Sequence, residues 1–266
     1  MVNKGIELSL GGTIINNKDF SWNSNINITT VKNEVTSLAN NNADILIATG
    51  GLESPSMVRV GESIGSFFAV RTEGINPANG QRIFVLNDGT RVQYNHAAPS
   101  ASRWTRVDNG AVSRAASQAV DGVIVGPALP RFFGGFDNTI KYKGFDFNIL
   151  LYYSGGNYVY NGSKAGLHDN RNWNNSKDAL NRWTKPGDNA EWPRVVFGDN
   201  VSNGSAIVMT NNIEKGDFIK GRNISLGYTL PKSLVGNAKI NSARVYVAAL
   251  NAFTITKYSG FDPEIQ

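Results

Sequence analysis

Six stretches of this chain alternate apolar and polar side chains over about 9–11 residues, the length a tilted strand needs to cross a bilayer. The clearest is "DFSWNSNINITT", residues 19 to 30. Phe20, Trp22, Ile26 and Ile28 fall on one face, interrupted only by Ser24, while Ser21, Asn23, Asn25, Asn27 and Thr29 fall on the other. Successive side chains of a strand point to opposite faces, so the stretch is apolar on one side and amide-rich on the other. Two architectures use such a strand. A soluble sandwich turns the aromatics into a core, and an outer-membrane barrel turns them to lipid with the amides lining a wet lumen.

The other five stretches decide between them by how they are connected. The first, 4 to 15, puts Ile6, Leu8 and Leu10 on one face, and "NNKD" (16 to 19) turns it into the second. A third near 135 to 142 (Phe136, Ile140, Tyr142) turns through Lys143-Gly144 into a fourth, "FDFNILLYY". The fifth, about 217 to 230, phases Ile224, Leu226 and Tyr228, and the sixth, about 243 to 254, phases Val245, Val247, Ala249 and Phe253. Connections run short, long, short, long, intermediate, so the long ones, residues 32–131 and 154–216, fall at one end. Barrels of outer membranes have short periplasmic turns and long extracellular loops. Aromatics gather near strand ends, with Phe20, Trp22, Tyr142 and Phe145 at one and Tyr152, Tyr153, Tyr158 and Tyr160 at the other, as two interfacial girdles would. The reading is therefore all-β and antiparallel, a segment of a large transmembrane β-barrel with about six long strands and long extracellular loops. Within the first loop, "RIFVLNDGTRVQY" reads as a hairpin with a type I′ turn at Asp88-Gly89, and Ser176 to Trp183 reads as helix-like.

Composition removes several function classes. There is no cysteine, which excludes disulfides and thiolate metal sites. The net charge of +5 is dispersed, without the basic run and interleaved aromatics of a nucleic-acid footprint. No run of about 18 apolar residues provides a helical span. Met1 leads directly into the strand-like "VNKGIELSL", and the chain stops at "FDPEIQ" without a closing element. Both ends are expected to be cuts within a longer protein.

Several stretches resemble the SusC/RagA-like TonB-dependent transporters of Bacteroidota outer membranes. They are "NKGIELSL", "DFSWNSNINITTVKNEV", "PALPRFFGGFDNTIKYKGFDFNILLYYSGG", "LNRWTKPGDNAEWPR", "GDFIKGRNISLGYTLPKSL" and "ARVYVAALNAFTITKYSGFDPEI", in that order across nearly the whole chain. The resemblance implies the C-terminal portion of a transporter barrel, residues 1–266, without its plug. It implies energised import of oligosaccharide or another nutrient, such as peptide. It implies a SusD-like surface lipoprotein over the loops, a TonB complex engaging N-terminal parts not present here, and a lipid-facing outer wall. No enzymatic chemistry and no cofactor are implied. The Asp- and Gly-rich run of the family's middle loop is reduced here to "NDG" (87 to 89) and Asp121-Gly122, leaving an ion site there without its residues. The alternative is a secreted, soluble carbohydrate-binding β-sandwich.

Candidate site residues are few. Trp104, Trp173, Trp183 and Trp192 lie outside the alternating strands, and an aromatic ring can stack on the C–H face of a sugar. Trp173 and Trp192, with Tyr158 and Tyr160 and the hydroxyl-binding Asp169 and Arg171, form the expected substrate-binding set. The same rings could instead pack a small core of the loop, and Trp183 is assigned that structural role. Asn23, Asn25 and Asn27 are expected to face the lumen. His96 and His168 are expected at loop surfaces, with no metal set. "GESIG" (61 to 65) has the spacing of a nucleophile elbow but lacks strand-to-helix context, and Asp262 and Glu264 flank a proline in a tight loop.

Overall fold

A computed structural model describes residues 1–47, 53–236 and 240–264. Its strands in chain order begin with β1 (Val2–Asn16) and β2 (Phe20–Glu34). Short ones follow: β3 (Ile45–Ile47), β4 (Ser56–Val58), β5 (Ser66–Ile75), β6 (Arg82–Val85), β7 (Arg91–Tyr94), β8 (Trp104–Arg106) and β9 (Gly122–Gly126). Then come β10 (Phe132–Tyr142), β11 (Phe145–Gly155), β12 (Tyr158–Tyr160), β13 (Ile213–Lys215), β14 (Phe218–Thr229) and β15 (Arg244–Thr256). The chain divides into two compact units, one of residues 34–129 and 158–214 with Met1, the other of residues 2–33, 130–157 and 215–266.

The second unit holds the six long strands in one sheet, ordered β1-β2-β10-β11-β14-β15. The pairings described from β2 across to β15 are all antiparallel. Register carries the alternation across strands. Ile26 lies opposite Phe136, Phe136 opposite Leu151, Ile140 opposite Phe147, Phe147 opposite Leu226, and Leu226 opposite Val247. A one-residue slip in any pair would turn a strand's whole apolar set to the wrong side. One face is therefore apolar over the sheet, and Asn23, Asn25 and Asn27 share the other face with Asp137, Thr139 and Asn148. A buried amide interrupts the apolar face: Asn138, opposite Ser24, is 6% exposed, and Trp22 Nε1 donates to its Oδ1 at 3.0 Å.

Arg222 is the extra residue of a bulge in β14, between Asn223 and Gly221. Beyond it Phe218 and Lys220 rise on the polar face beside Tyr152, with the Phe218 and Tyr152 rings 5.8 Å apart. A soluble sandwich would bury its apolar face, whereas here Ile26 is 43% and Val247 67% exposed.

The first unit replaces the two expected long loops with folded structure. β3 to β8 follow one another in a sheet to which β9 adds on β5. Val70, Phe84, Val92 and Met209 form a fully buried core with Leu86, Tyr94 and Ala116, and the Trp104 ring packs 5.1 Å from both Phe84 and Tyr94. Burying each large side chain here contributes about 1.5–3 kcal/mol. The expected hairpin is present as β6 and β7, but its turn is not type I′. Only Gly89 has positive φ (+84°), the Leu86 and Thr90 ends are bonded by Leu86 N–H to Thr90 O at 2.9 Å, and the Asp88 carboxylate accepts from Thr90 N–H at 2.9 Å. A loop longer than two residues needs a left-handed residue only at its last position, which glycine supplies. The helix-like stretch is a short 3-10 helix, Lys177–Asn181, capped by the Ser176 hydroxyl, which accepts from Asp178 N–H.

Candidate functional site

The first unit contains a cleft of about 790 Å³, whose floor is the Ala206–Val208 segment running beside β5. Glu53 and Ser54, before β4, form one wall, and Ser117 and Gln118 another. Gly162 and Gly166 belong to the short helix Gly162–Leu167, whose first turn is capped by Asn161 Oδ1 accepting from Lys164 N–H at 2.9 Å. Arg171, Trp173 and Ser205 complete the lining.

Two of the six expected loop residues meet at this cleft. Trp173 is 64% exposed and Arg171 half-exposed, and both line it. The other four are not part of its lining. Trp192 is 2% exposed and its ring stacks on His168 at 4.0 Å between centroids, so it is a core residue of the loop and not a sugar platform. Asp169 is fully buried, and its oxygens accept from Arg171 at 2.7 Å, from Arg171 N–H and from Ser205. Burial alone would raise the Asp169 carboxyl, but these partners outweigh it and hold it below the usual range. Its role is to position Arg171. Tyr158 packs on Phe67, Ala69 and Val208, against which Tyr160 also lies. Gly126 makes room for the Tyr158 ring, since a Cβ there would sit 2.3 Å from it. Burial, with the nearby Glu53 carboxylate, raises the pKa of the Tyr160 hydroxyl.

Other expectations sort in the same way. Trp183 covers Gly80 and donates to Pro77 O at 2.9 Å, the structural role assigned to it. His168 is buried rather than at a loop surface; burial lowers its pKa, partly offset by Asp178 at 3.0 Å. "GESIG" is a turn with Gly61 and Gly65 at positive φ, not a strand-to-helix elbow. Asp262 and Glu264 are ion-paired to Lys220 at 2.7 and 2.6 Å, and Glu264 also to Arg222. No cluster of three or more metal-ligating side chains occurs among the described residues. On the long sheet, Asn27 Oδ1 accepts from Gly135 N–H at 3.0 Å and Asn23 Oδ1 from Thr13 at 2.7 Å, so these amides brace neighbouring strands.

The residue that sequence reasoning missed is Glu53. Both of its carboxylate oxygens are buried without a hydrogen-bond partner, and so is the Tyr160 hydroxyl. The only local signal was a lone acid in the otherwise uncharged run 45 to 58.

No protein-family model matches the chain. It is 28% identical over 266 residues to TonB-dependent receptor P3 of Formosa agariphila, covering 98% of this chain and 25% of that one. It is 26% identical over 274 residues to TonB-dependent receptor SusC of Bacteroides thetaiotaomicron, covering 99% and 24%. Among solved structures it superposes on the RagAB peptide transporter with TM-score 0.72 at 27% identity, covering 98% of this chain and 26% of that one. On the RagAB peptide importer in the open-open state it gives 0.74 at 25% identity, covering 99% and 26%. The chain resembles SusC/RagA-like TonB-dependent receptors along nearly all of its length.

This receptor-like chain spans about a quarter of the length of those relatives. The relatives are TonB-dependent receptors, and the superposed structures are of a peptide transporter and importer. The similarity spans both units, so the six-stranded sheet and the cleft-bearing unit alternate along the chain as one receptor-like segment.

Proposed function

We propose that the chain forms part of the wall and the external binding loops of a TonB-dependent importer in the outer membrane. The importer takes up oligosaccharide or another nutrient, peptide included, and works with a SusD-like lipoprotein over its loops and a TonB complex on parts outside this segment. The apolar face of the six-stranded sheet turns to lipid and the face of Asn23, Asn25 and Asn27 to the lumen. The cleft of Trp173 and Arg171 meets the cargo. The observation that carries this reading is the likeness to TonB-dependent receptors over 98–99% of the chain, in sequence and in fold.

The faces of the sheet support the orientation. A lipid-facing wall must be apolar and must satisfy its polar groups internally, and the buried amide on that face, Asn138, is bonded by Trp22. The test is uptake by cells carrying the intact gene, before and after loss of TonB, with outer-membrane fractionation of the protein. The reading requires membrane residence and uptake that stops without TonB. A protein recovered in the aqueous fraction, or uptake unaffected by TonB, overturns it.

A further inference from the structure

We propose that the cleft beside Trp173 takes its ligand by a positively charged nitrogen, a primary ammonium, with Glu53 as the receiving group. The proposal rests on the import reading and narrows its cargo to a cationic one.

The charges around the cleft lead to it. Its ionisable lining groups are Glu53 and Arg171. The Arg171 guanidinium is committed to Asp169 at 2.7 Å and to Ser205 at 3.1 Å, so that pair is neutral and bonded. Glu53 is left over. Neither of its oxygens has a hydrogen-bond partner, although both are withdrawn from solvent. A carboxylate taken out of water without partners is costly, and the natural relief is a cation or several N–H donors.

The neighbouring Tyr160 hydroxyl is near enough to donate to Glu53. One hydroxyl supplies one proton, and an ionised carboxylate accepts about four hydrogen bonds, so a turn of Tyr160 toward Glu53 leaves it short. An ammonium brings three donors and a charge.

The geometry also permits the encounter. Swinging the Glu53 carboxylate into the cleft costs a change of rotamer and, at most, its approach to the Tyr160 hydroxyl. The exposed Trp173 ring in the same lining offers its π face to the cation. A ligand bearing only an anion would meet Glu53 uncompensated, and a neutral sugar would leave the carboxylate under-bonded.

An amino group of this kind belongs equally to a peptide or to an amino sugar, and the test separates them. The intact receptor in detergent, in mildly acidic buffer, is titrated calorimetrically with trialanine and N-acetyl-trialanine, and with the glucosamine disaccharide and its N,N′-diacetyl form. At least one free amine is expected to bind about 10- to 100-fold more tightly than its acetylated partner, the scale of a charge-assisted hydrogen bond in a desolvated site. Preference within the first pair identifies a peptide, and within the second an amino sugar. Glu53→Gln, which keeps the side chain's shape, is expected to erase the preference, and Glu53→Asp to keep part of it.

Equal binding of amine and acetylated forms, no binding of any amine, or a preference that persists in Glu53→Gln overturns the proposal. The wild-type comparison decides even where a variant does not fold. TonB-dependent uptake that continues without amine preference would defeat this proposal alone, whereas loss of TonB dependence would defeat the import reading.

Discussion

Removing the indole N–H of Trp22 tests whether the apolar face of the long sheet is dry. Trp22 Nε1 bonds Asn138 Oδ1 at 3.0 Å, and Asn138 is 6% exposed on a face made mostly of apolar side chains. Trp22→Phe leaves that amide oxygen without its donor. A buried polar atom left unsatisfied costs about 1–3 kcal/mol. The smaller ring adds about 1 kcal/mol of lost apolar burial. A second change, Asn138→Leu, removes the stranded amide, so Trp22→Phe with Asn138→Leu should regain about 1–3 kcal/mol over Trp22→Phe alone. The lost ring burial is common to both, and the Asn138→Leu single variant subtracts the leucine's own contribution and closes the cycle. Unfolding of the intact protein by urea in phosphatidylcholine vesicles, followed by the electrophoretic shift between folded and unfolded forms, measures the difference. If the double variant is no more stable than Trp22→Phe, water or another group is already satisfying Asn138. The dry, lipid-facing assignment of this face would then be wrong.

Two further predictions concern the first unit. Asp121, 1% exposed, accepts from the Arg114 guanidinium at 2.6 and 2.8 Å and from the N–H groups of Ser117 and Asn87, and these lower its pKa from 3.8 to about 2. A depressed carboxyl stabilises the fold above its unfolded pKa and loses that contribution as pH falls through the folded value. Its share, about 2 kcal/mol, should be full above roughly pH 5 and gone below about pH 2. Asp121→Asn should be about 2 kcal/mol less stable near neutrality, with the gap to the parent closing in acid; a gap constant with pH in urea melts would remove the ionic explanation. Trp192→Ala should cost about 3–5 kcal/mol as a core truncation. Trp173→Ala should change stability by less than about 0.5 kcal/mol while weakening cargo binding. Calorimetry and melts on both variants check this, and unchanged cargo affinity in Trp173→Ala would detach the cleft from transport.

The long sheet was legible because its information is local. A period of two held over ten or more residues, bounded by Asn-, Asp- and Gly-rich turns, locates β1, β2, β10, β11, β14 and β15 to within a few residues. The first unit was not, because strands such as Met57 with its two neighbours, or Trp104 to Arg106, are too short for alternation to register. They are held instead by distant partners: Val70 N–H on Val208 O at 2.9 Å, and Gln118 Nε2 on Ser54 O at 2.9 Å and Phe68 O at 2.8 Å. The site divides along the same line. Residue type marks Trp173 and Trp192 alike as platforms, but burial depends on what stacks against the ring, and His168 covers only Trp192. Glu53 carries no motif and reaches the cleft only because β4 and β5 bring its segment against residues 205 to 208.

The sheet's two ends extend this reasoning beyond single side chains. β1 and β15 are its terminal strands, and β15, with 13 residues, directs about half of its N–H and C=O groups away from β14. In hydrocarbon each unsatisfied backbone group costs several kcal/mol, so a lipid-facing sheet cannot leave such a row open. If the apolar face meets lipid, further strands must pair with both β1 and β15 in the intact protein. Amide exchange tests this directly. The outward amides of β15 should be as slow in the intact protein as those bonded to β14, and should exchange within seconds in the 266-residue chain alone. Equally fast exchange in both would mean that the edge is open to water in the native state. A sheet with a wet edge of that length does not sit in a bilayer, and the barrel-wall role would fall with it.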